Sequence, residues 1–231
     1  MKTTNQKIEM IMQPANLISM KNTWLIRRKQ LSNKEEYRTR DALLPLWSCS
    51  CIMSPMELLR INKHNQDYVF FNALNQEAFP DEERWDLHHA LHYPIPADVM
   101  GIYDEGKPVG LYMALSNEKA VYVCYLAIHK DLRGHGYGSK ALKCICEHYQ
   151  GKQICLDLEK QDPKADNAHQ RKIRKEFYLR NGFYETHYSM NFWDLSFELL
   201  CFDAHFDADL FRELCVYLTT DEIDPHIIWE G

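Results

Sequence analysis

Three glycines, each separated by one residue, occur in the segment from Arg133 to Ser139, which reads Arg-Gly-His-Gly-Tyr-Gly-Ser. The segment lies between an apolar run, 121–128, and a helical pattern that begins at Ser139. Glycine at 134, 136 and 138 lets the main chain approach a ligand without interference from a Cβ atom, and the first amide groups of a helix bind anions. Arg133 adds a positive charge with a planar donor group, and Ser139 adds a hydroxyl. The spacing therefore predicts an anion site at the start of a helix.

A glycine-rich turn has a structural explanation as well as a functional one. The same glycines suit a tight connection from a strand to a helix that binds nothing, and on the glycines alone both explanations stay open. Two classes of phosphate loop are nevertheless excluded. The spacing is not Gly-x-Gly-x-x-Gly, and no Gly-Lys-Ser/Thr follows, so neither the dinucleotide-binding pattern nor the P-loop pattern is present.

The elements next to the loop form a strand, a helix and a strand. Val121–Ile128 is apolar with several β-branched residues, which is typical of a strand covered on both faces. Ser139–Tyr149 has the apolar spacing of an amphipathic helix, and Gln153–Glu159 alternates as a second strand. Such a crossover predicts that the two strands are parallel. A helix over Ala168–Arg180 should follow, with Ile173 and Phe177 pointing inward.

The rest of the chain predicts a mixed arrangement of strands and helices. The expected strands are 56–61, 99–103, 109–114, 183–192 and 197–202, and the expected helices are 66–79, 81–92 and 207–218. The fold class is therefore α/β of the mixed α+β kind, a central mixed sheet flanked by helices.

Two motifs in this chain can be compared with a known family. Arg133-x-x-Gly136-x-Gly138 follows the strand residues Tyr125-Leu-Ala-Ile, and Phe177-Tyr-Leu-Arg-Asn-Gly-Phe183 lies downstream at the end of a predicted helix. The first resembles the signature of the GNAT superfamily of acetyl-CoA-dependent N-acetyltransferases, and the second is similar to that superfamily's helix-to-strand motif. The resemblance covers roughly residues 56–218. It implies a sheet that splays between its central strand and the parallel neighbour, with acetyl-CoA, the co-substrate, in the V-shaped opening.

The resemblance also implies which residues contact coenzyme A. The pantetheine arm would pair with the backbone of Leu126, Ala127 and Ile128. The pyrophosphate would lie on Arg133, Gly134, His135, Gly136, Tyr137, Gly138 and Ser139. One position departs from the family: many relatives have an asparagine seven residues before the helix tyrosine, and this chain has Arg171. Contacts from that helix to the cofactor are therefore in doubt, although Arg171 is able to meet a phosphate.

Acetyl transfer to an amine needs a base, because an alkyl ammonium has a pKa of about 10 and only the free amine attacks a thioester. Glu159 is the candidate base, since it ends the second strand of the splay where the acceptor amine should enter; a carboxylate at a strand end is also often only solvated. Asp157 shares its strand face. By resemblance, Tyr178 is the proton donor to the departing thiolate, and the alternative is that it only packs. A non-catalytic acyl-CoA sensor on the same fold is the competing function.

Composition suggests where the domain lies. Residues 1–55 carry nine Lys and Arg against four Asp and Glu, which indicates a poorly ordered N-terminal extension before a domain at 56–218 and a tail at 219–231. Met56 is a candidate translation start. We expect a cytoplasmic protein without a membrane partner, and nucleic-acid binding is not favoured because the basic run is short. The eight cysteines lack zinc spacing, so no metal is expected. Neither motif specifies the oligomeric state, and a homodimer is compatible with both.

Overall fold

A computed structural model describes residues 56–230, apart from 80, 82–83, 93–96, 193–194, 203–204 and 219–225. The predicted N-terminal extension lies outside these residues. In the described part of the chain, no helix has both the length and the apolar character that a membrane span requires.

The described residues form eight strands and five helices. The strands are β1 (Glu57–Arg60), β2 (Ala97–Asp104), β3 (Lys107–Ser116), β4 (Ala120–Ile128), β5 (Gln153–Glu159), β6 (Tyr184–Phe192), β7 (Leu195–Cys201) and β8 (His226–Trp229). The helices are α1 (Tyr68–Ala78), α2 (Leu87–Ala90), α3 (Tyr137–His148), α4 (Ala168–Arg180) and α5 (Ala208–Cys215). A short 3₁₀ turn, Lys130–Leu132, precedes α3.

All eight strands belong to one sheet in the order β1-β2-β3-β4-β5-β7-β6-β8. Within the described strands, β4 and β5 form the one parallel pair, and the other neighbours are antiparallel. The predicted mixed sheet and the predicted parallel crossover through α3 are therefore confirmed.

Three hydrophobic clusters cover the two faces of the sheet. The first lies between the sheet and helices α3 and α4, and it includes Leu142, Ile145 and Phe183. The second lies under α1 and α2 and includes Phe71. The third lies under α5 and includes Phe211. Helix α4 contacts the first cluster only through its C-terminal end, at residues 177–179.

The structure corrects three details of the sequence prediction. A continuous helix over 81–92 is wrong: α2 has only four residues, because the Asp86 carboxylate accepts the N–H of His89 and caps a helix that begins at Leu87. Ile173 does not point inward, since 47% of it is exposed. No strand was expected after residue 218, yet β8 pairs with β6 and extends the sheet.

Candidate functional site

The parallel strands β4 and β5 separate before they end. Their ladder joins 120–123 to 153–156, whereas β4 continues to Ile128 and β5 to Glu159. On its other side, the last part of β4 remains paired with β3, and the last part of β5 remains paired with β7. Residues 124–128 and 157–159 therefore line an opening between the two strands, which we call the wedge. Leu126, Ala127 and Ile128, predicted to meet pantetheine, lie along it.

A β-bulge accompanies the separation. Ala114 of β3 pairs with Val123 and Met113 pairs with Tyr125, so in the described ladder Cys124 is the extra residue on β4. The bulge reverses which residues face which side: Val123 packs in the first cluster before it, and Leu126 packs there after it. The extra residue thus lies where the wedge opens, as is common for bulges near binding sites.

The glycine-rich loop has a left-handed backbone at two of its glycines. Gly134 has φ of 78° and Gly136 has φ of 83°, which L side chains rarely adopt. Among the described residues, no atom lies within 4 Å of where a Cβ would stand at either position, and no side chain caps α3 at Gly136. The first amide groups of α3 therefore remain available for an anion.

Gly138 lies in close contact with a neighbouring helix. It does not have positive φ, but a Cβ there would lie 3.2 Å from Cζ of Phe177. This glycine permits α3 and α4 to pack closely, whereas the sequence analysis assigned all three glycines to the approach of a ligand.

The other residues of the segment 133–139 lie at the end of the wedge and in the first turn of α3. The Nε of exposed Arg133 donates to the carbonyl oxygen of Ile128 at 3.0 Å, which ties the loop to the end of β4. The His135 Nδ1 lies 2.9 Å from the carbonyl oxygen of Arg133. Desolvation and the neighbouring Asp104, including a hydrogen bond to it, raise the pKa of Tyr137, whose hydroxyl therefore faces the β2–β3 turn. Ser139 is half-buried in the first turn of α3.

Tyr178 lies on α4 against the first cluster, with its ring 5.2 Å from that of Phe177 and 5.8 Å from that of Phe183. Burial raises the pKa of Tyr178 to about 12; the Arg174 guanidinium opposes this rise and the Asp157 carboxylate adds to it. The phenol is therefore protonated at neutral pH, the state in which it donates a hydrogen bond or a proton.

Glu159 is the centre of an ion-pair group that joins β5 to α4. Its Oε2 accepts a hydrogen bond from Arg174 Nη1 at 2.5 Å, and its Oε1 accepts one from Asn167 Nδ2 at 2.9 Å and lies 3.5 Å from Arg171 Nη2. The side chain is 27% exposed. A proton accepted by this carboxylate would cancel the charge on which both ion pairs depend. These contacts favour a positioning role over that of a base.

Arg171 is also engaged within the protein. Its Nε donates to Asn167 Oδ1 at 2.6 Å and its Nη1 to the carbonyl oxygen of Lys160 at 2.7 Å. These bonds hold the loop between β5 and α4 in place. They do not support the expectation that Arg171 meets a phosphate.

A second carboxylate, Asp157, enters the wedge two residues before Glu159. Tyr122 donates its hydroxyl to Asp157 Oδ1 at 2.6 Å. Burial raises the pKa of Tyr122 well above its usual value, and the Asp157 charge adds to this. From the sequence, Asp157 was expected only to share the strand face of Glu159, and no role was predicted for it. The available signal was one carboxylate inside the otherwise apolar run Ile-Cys-Leu-Asp-Leu of β5.

The described residues contain no group of three or more His, Cys, Asp or Glu placed to hold a metal ion. The site is built instead from an open strand edge, an anion loop, a protonated tyrosine and two carboxylates with different partners. Such an arrangement is able to bind an extended phosphate-bearing molecule and to move protons beside it.

Comparison with known proteins gives a family match over the same region. Residues 61–183 match the Acetyltransferase (GNAT) family. A structure described only as a GNAT-family acetyltransferase, from Bacteroides thetaiotaomicron, is 26% identical, with a TM-score of 0.56 over 68% of this chain and 92% of that one. No curated protein matches the chain.

Two further solved structures show lower similarity. A GNAT family acetyltransferase from Elizabethkingia anophelis with acetyl-CoA bound is 12% identical, with a TM-score of 0.46 over 64% of this chain and 97% of that one. The aminoglycoside 6'-N-acetyltransferase from Enterococcus faecium is 13% identical, with a TM-score of 0.49 over 65% of this chain and 99% of that one.

Proposed function

Since this chain belongs to the GNAT family of acetyltransferases, we propose that it moves the acetyl group of acetyl-CoA to a primary amine of a small molecule or a peptide. The observation that carries the proposal is the wedge between β4 and β5 with the anion loop at its end. The wedge supplies an unpaired strand edge for an extended chain, and the anion loop supplies amide groups for a pyrophosphate.

The residues present fit coenzyme A. The wedge-side backbone of residues 126–128 is assigned to the amide groups of pantetheine, because β5 has left the ladder there. The first-turn amides of α3 and the loop residues 133–139 are assigned to the pyrophosphate. Arg133 uses Nε to hold Ile128, and its terminal NH₂ groups are the donors assigned to a phosphate oxygen.

Bound acetyl-CoA would supply an acetyl group activated as a thioester. Tyr178 is assigned the transfer of a proton to the departing sulfur, since its phenol is protonated at neutral pH and Arg174, one turn before it on α4, pairs with Glu159 at the end of β5. Glu159, first considered as the base, is assigned to holding α4 against β5 through Arg174. The acceptor amine enters where the bulge opens the wedge.

We also propose limits for the domain, a cellular location and an oligomeric state. We place the end of the domain after Trp229, because β8 completes the sheet, and we keep residues 1–55 as an extension that precedes it. A cytoplasmic location and a homodimer belong to the same proposal. Light scattering after size-exclusion chromatography measures the oligomeric state directly.

A direct test pairs binding with turnover. Isothermal titration measures acetyl-CoA binding, and release of the coenzyme A thiol is followed with a panel of polyamines, aminoglycosides, amino acids and short peptides. The proposal expects binding together with thiol release that one or more amines stimulate. Binding without stimulation by any amine would instead support a non-catalytic sensor, and no binding would overturn the assignment of the site.

A further inference from the structure

The basic residues of helix α4 differ in whether they have an acidic partner. Four of its five Lys and Arg residues pair with carboxylates: Arg171 and Arg174 with Glu159, Lys172 with Glu176, and Lys175 with Glu185 and Glu198. The fifth, Arg180, is exposed, and no carboxylate of the described residues lies within ion-pair distance of it. Its positive charge is therefore available to an anion from solution.

Arg180 lies beside the contact between α3 and α4. Its Cζ is 5.4 Å from the centroid of the Phe177 ring. The same ring lies against Gly138, where a Cβ would stand 3.2 Å from its Cζ. Gly138 belongs to the first turn of α3, whose amide groups are assigned to the pyrophosphate of coenzyme A. One aromatic ring therefore separates the free guanidinium from the anion site.

A cation in the last turn of a helix often has a purely structural role, because it stabilises the carbonyl groups at the helix end. Arg180 makes no hydrogen bond to a carbonyl in the described part of the chain. The amide of Asn181 takes that role, since its Nδ2 donates to the carbonyl oxygen of Phe177 at 2.6 Å. Arg180 contacts the ring three residues before it and therefore points back along the helix.

Another side of the first turn of α3 is acidic. The hydroxyl of Tyr137 is hydrogen bonded to Asp104, and Glu105 follows Asp104 in the turn between β2 and β3. Lys140 lies over the Tyr137 ring at 5.4 Å and so belongs to this side. Carboxylates repel a phosphate, whereas α4 offers an arginine without an acidic partner. A phosphate that lies beyond the anion loop is therefore favoured on the α4 side.

Coenzyme A has one phosphate group besides its pyrophosphate, a monoester on the 3′-hydroxyl of its ribose. The amide groups of α3 and the terminal NH₂ groups of Arg133 are assigned to the pyrophosphate, so they leave the monoester without a partner. A phosphate monoester loses its second proton with a pKa of about 6 and is close to doubly charged at neutral pH. A guanidinium binds such a group through two parallel hydrogen bonds.

We propose that Arg180, held on the ring of Phe177, binds the 3′-phosphate of coenzyme A and makes the site selective for the phosphorylated cofactor over its 3′-dephospho form. This inference rests on the proposed function and deepens it, because it names a second group by which the cofactor is recognised. Arg180 is a binding residue and takes no part in the transfer of the acetyl group. Stacking on Phe177 limits the side-chain freedom that the guanidinium loses when it binds.

The test measures binding without turnover. Isothermal titration compares acetyl-CoA with acetyl-3′-dephospho-CoA, which lacks only this phosphate. The wild-type protein should bind acetyl-CoA about 10-fold more tightly than the dephospho form. Arg180→Gln should lose most of that preference, with the affinity for the dephospho form within about 2-fold of wild type. Arg180→Lys keeps the charge without the planar donor group and should retain a preference of about 3-fold.

Lys140→Gln is the matched control, because Lys140 is also exposed and lies over an aromatic ring but belongs to the acidic side of α3. It should keep the wild-type preference. A wild-type protein without a preference, or an Arg180→Gln variant that keeps it or weakens both cofactors equally, would overturn this inference. Wild-type protein that binds neither cofactor would overturn the proposed function instead, so the two failures are distinguishable.

Discussion

The ring of Phe177 lies against the backbone of Gly138, so closely that a Cβ at position 138 would stand 3.2 Å from the Cζ of the ring. Gly138 belongs to the first turn of α3, which carries the anion site, and Phe177 precedes Tyr178 on α4. The anion site and the tyrosine are thus positioned by one contact between two helices. A displacement at either residue should affect both.

Gly138→Ala should destabilise the protein and weaken acetyl-CoA binding together. The added methyl group forces Phe177 to shift, and overpacking of this kind typically costs about 1–3 kcal/mol. Urea unfolding measures the stability and isothermal titration measures the affinity. Adding Phe177→Leu should recover part of both, and a double variant no better than the single one would argue against the contact as the cause.

Gly134→Ala and Gly136→Ala should lower acetyl-CoA affinity through the backbone. Both positions have positive φ and open space around them, so the expected cost of about 1–2 kcal/mol comes from conformation and not from a clash. Gly151→Ala is the control, because Gly151 has φ of 87° and equally open space but follows the far end of α3. Calorimetry should show lost affinity in the first two variants and unchanged affinity in the control, whose only change is stability.

Tyr178→Phe should reduce kcat about 100-fold while acetyl-CoA still binds, because only the proton donor is removed. With a pKa of about 12, the Tyr178 phenol stays protonated as the pH rises through the neutral and mildly alkaline range. The wild-type rate should therefore show no decline from this group below about pH 10. Steady-state pH profiles check both points, and wild-type turnover in Tyr178→Phe would remove the residue from the mechanism.

Glu159→Gln should weaken the attachment of α4 to β5 and leave acetyl transfer nearly unchanged. The pairs with Arg171 and Arg174 are partly exposed, so the loss of unfolding free energy should be no more than about 1 kcal/mol. We expect kcat/KM to stay within about 3-fold of wild type. A loss of about 100-fold in kcat/KM with acetyl-CoA affinity and stability unchanged would show that Glu159 is the base after all.

Local pattern was sufficient to predict the elements that build the site. The bounds of β5 and α4 in the structure are the predicted 153–159 and 168–180. The bounds of β5 follow from alternating apolar and polar residues, and those of α4 from helical spacing of apolar residues. Each pattern ends at residues typical of a turn, such as Asn181-Gly182 after α4. Gly134 and Gly136 have the positive φ that glycine favours, although the sequence predicted for them only a close approach of the main chain to a ligand. The parallel pairing followed from the crossover rule.

Features that depend on distant partners could not be predicted in this way. The bulge at Cys124 is a shift in the register between β3 and β4. It depends on the pairing of the two strands, and no property of Cys124 itself predicts it. Ile173 satisfies the helical stripe but is exposed, because α4 packs on the first cluster through residues 177–179, and the turn before them contacts the sheet through the ion pairs of Lys175 with Glu185 and Glu198. The pairing of Tyr122 with Asp157 joins residues 35 positions apart. A carboxylate in an apolar strand is a signal that such a partner exists, but it does not identify the partner.

The most direct test of acetyl transfer is mass spectrometry of the amine panel after incubation with the protein and acetyl-CoA that carries an isotopic label in its acetyl group. We predict that an amine gains one labelled acetyl group for each coenzyme A thiol released, and that Tyr178→Phe slows both alike. Acetyl-CoA that binds to the wild-type protein while no amine in the panel becomes labelled would contradict it.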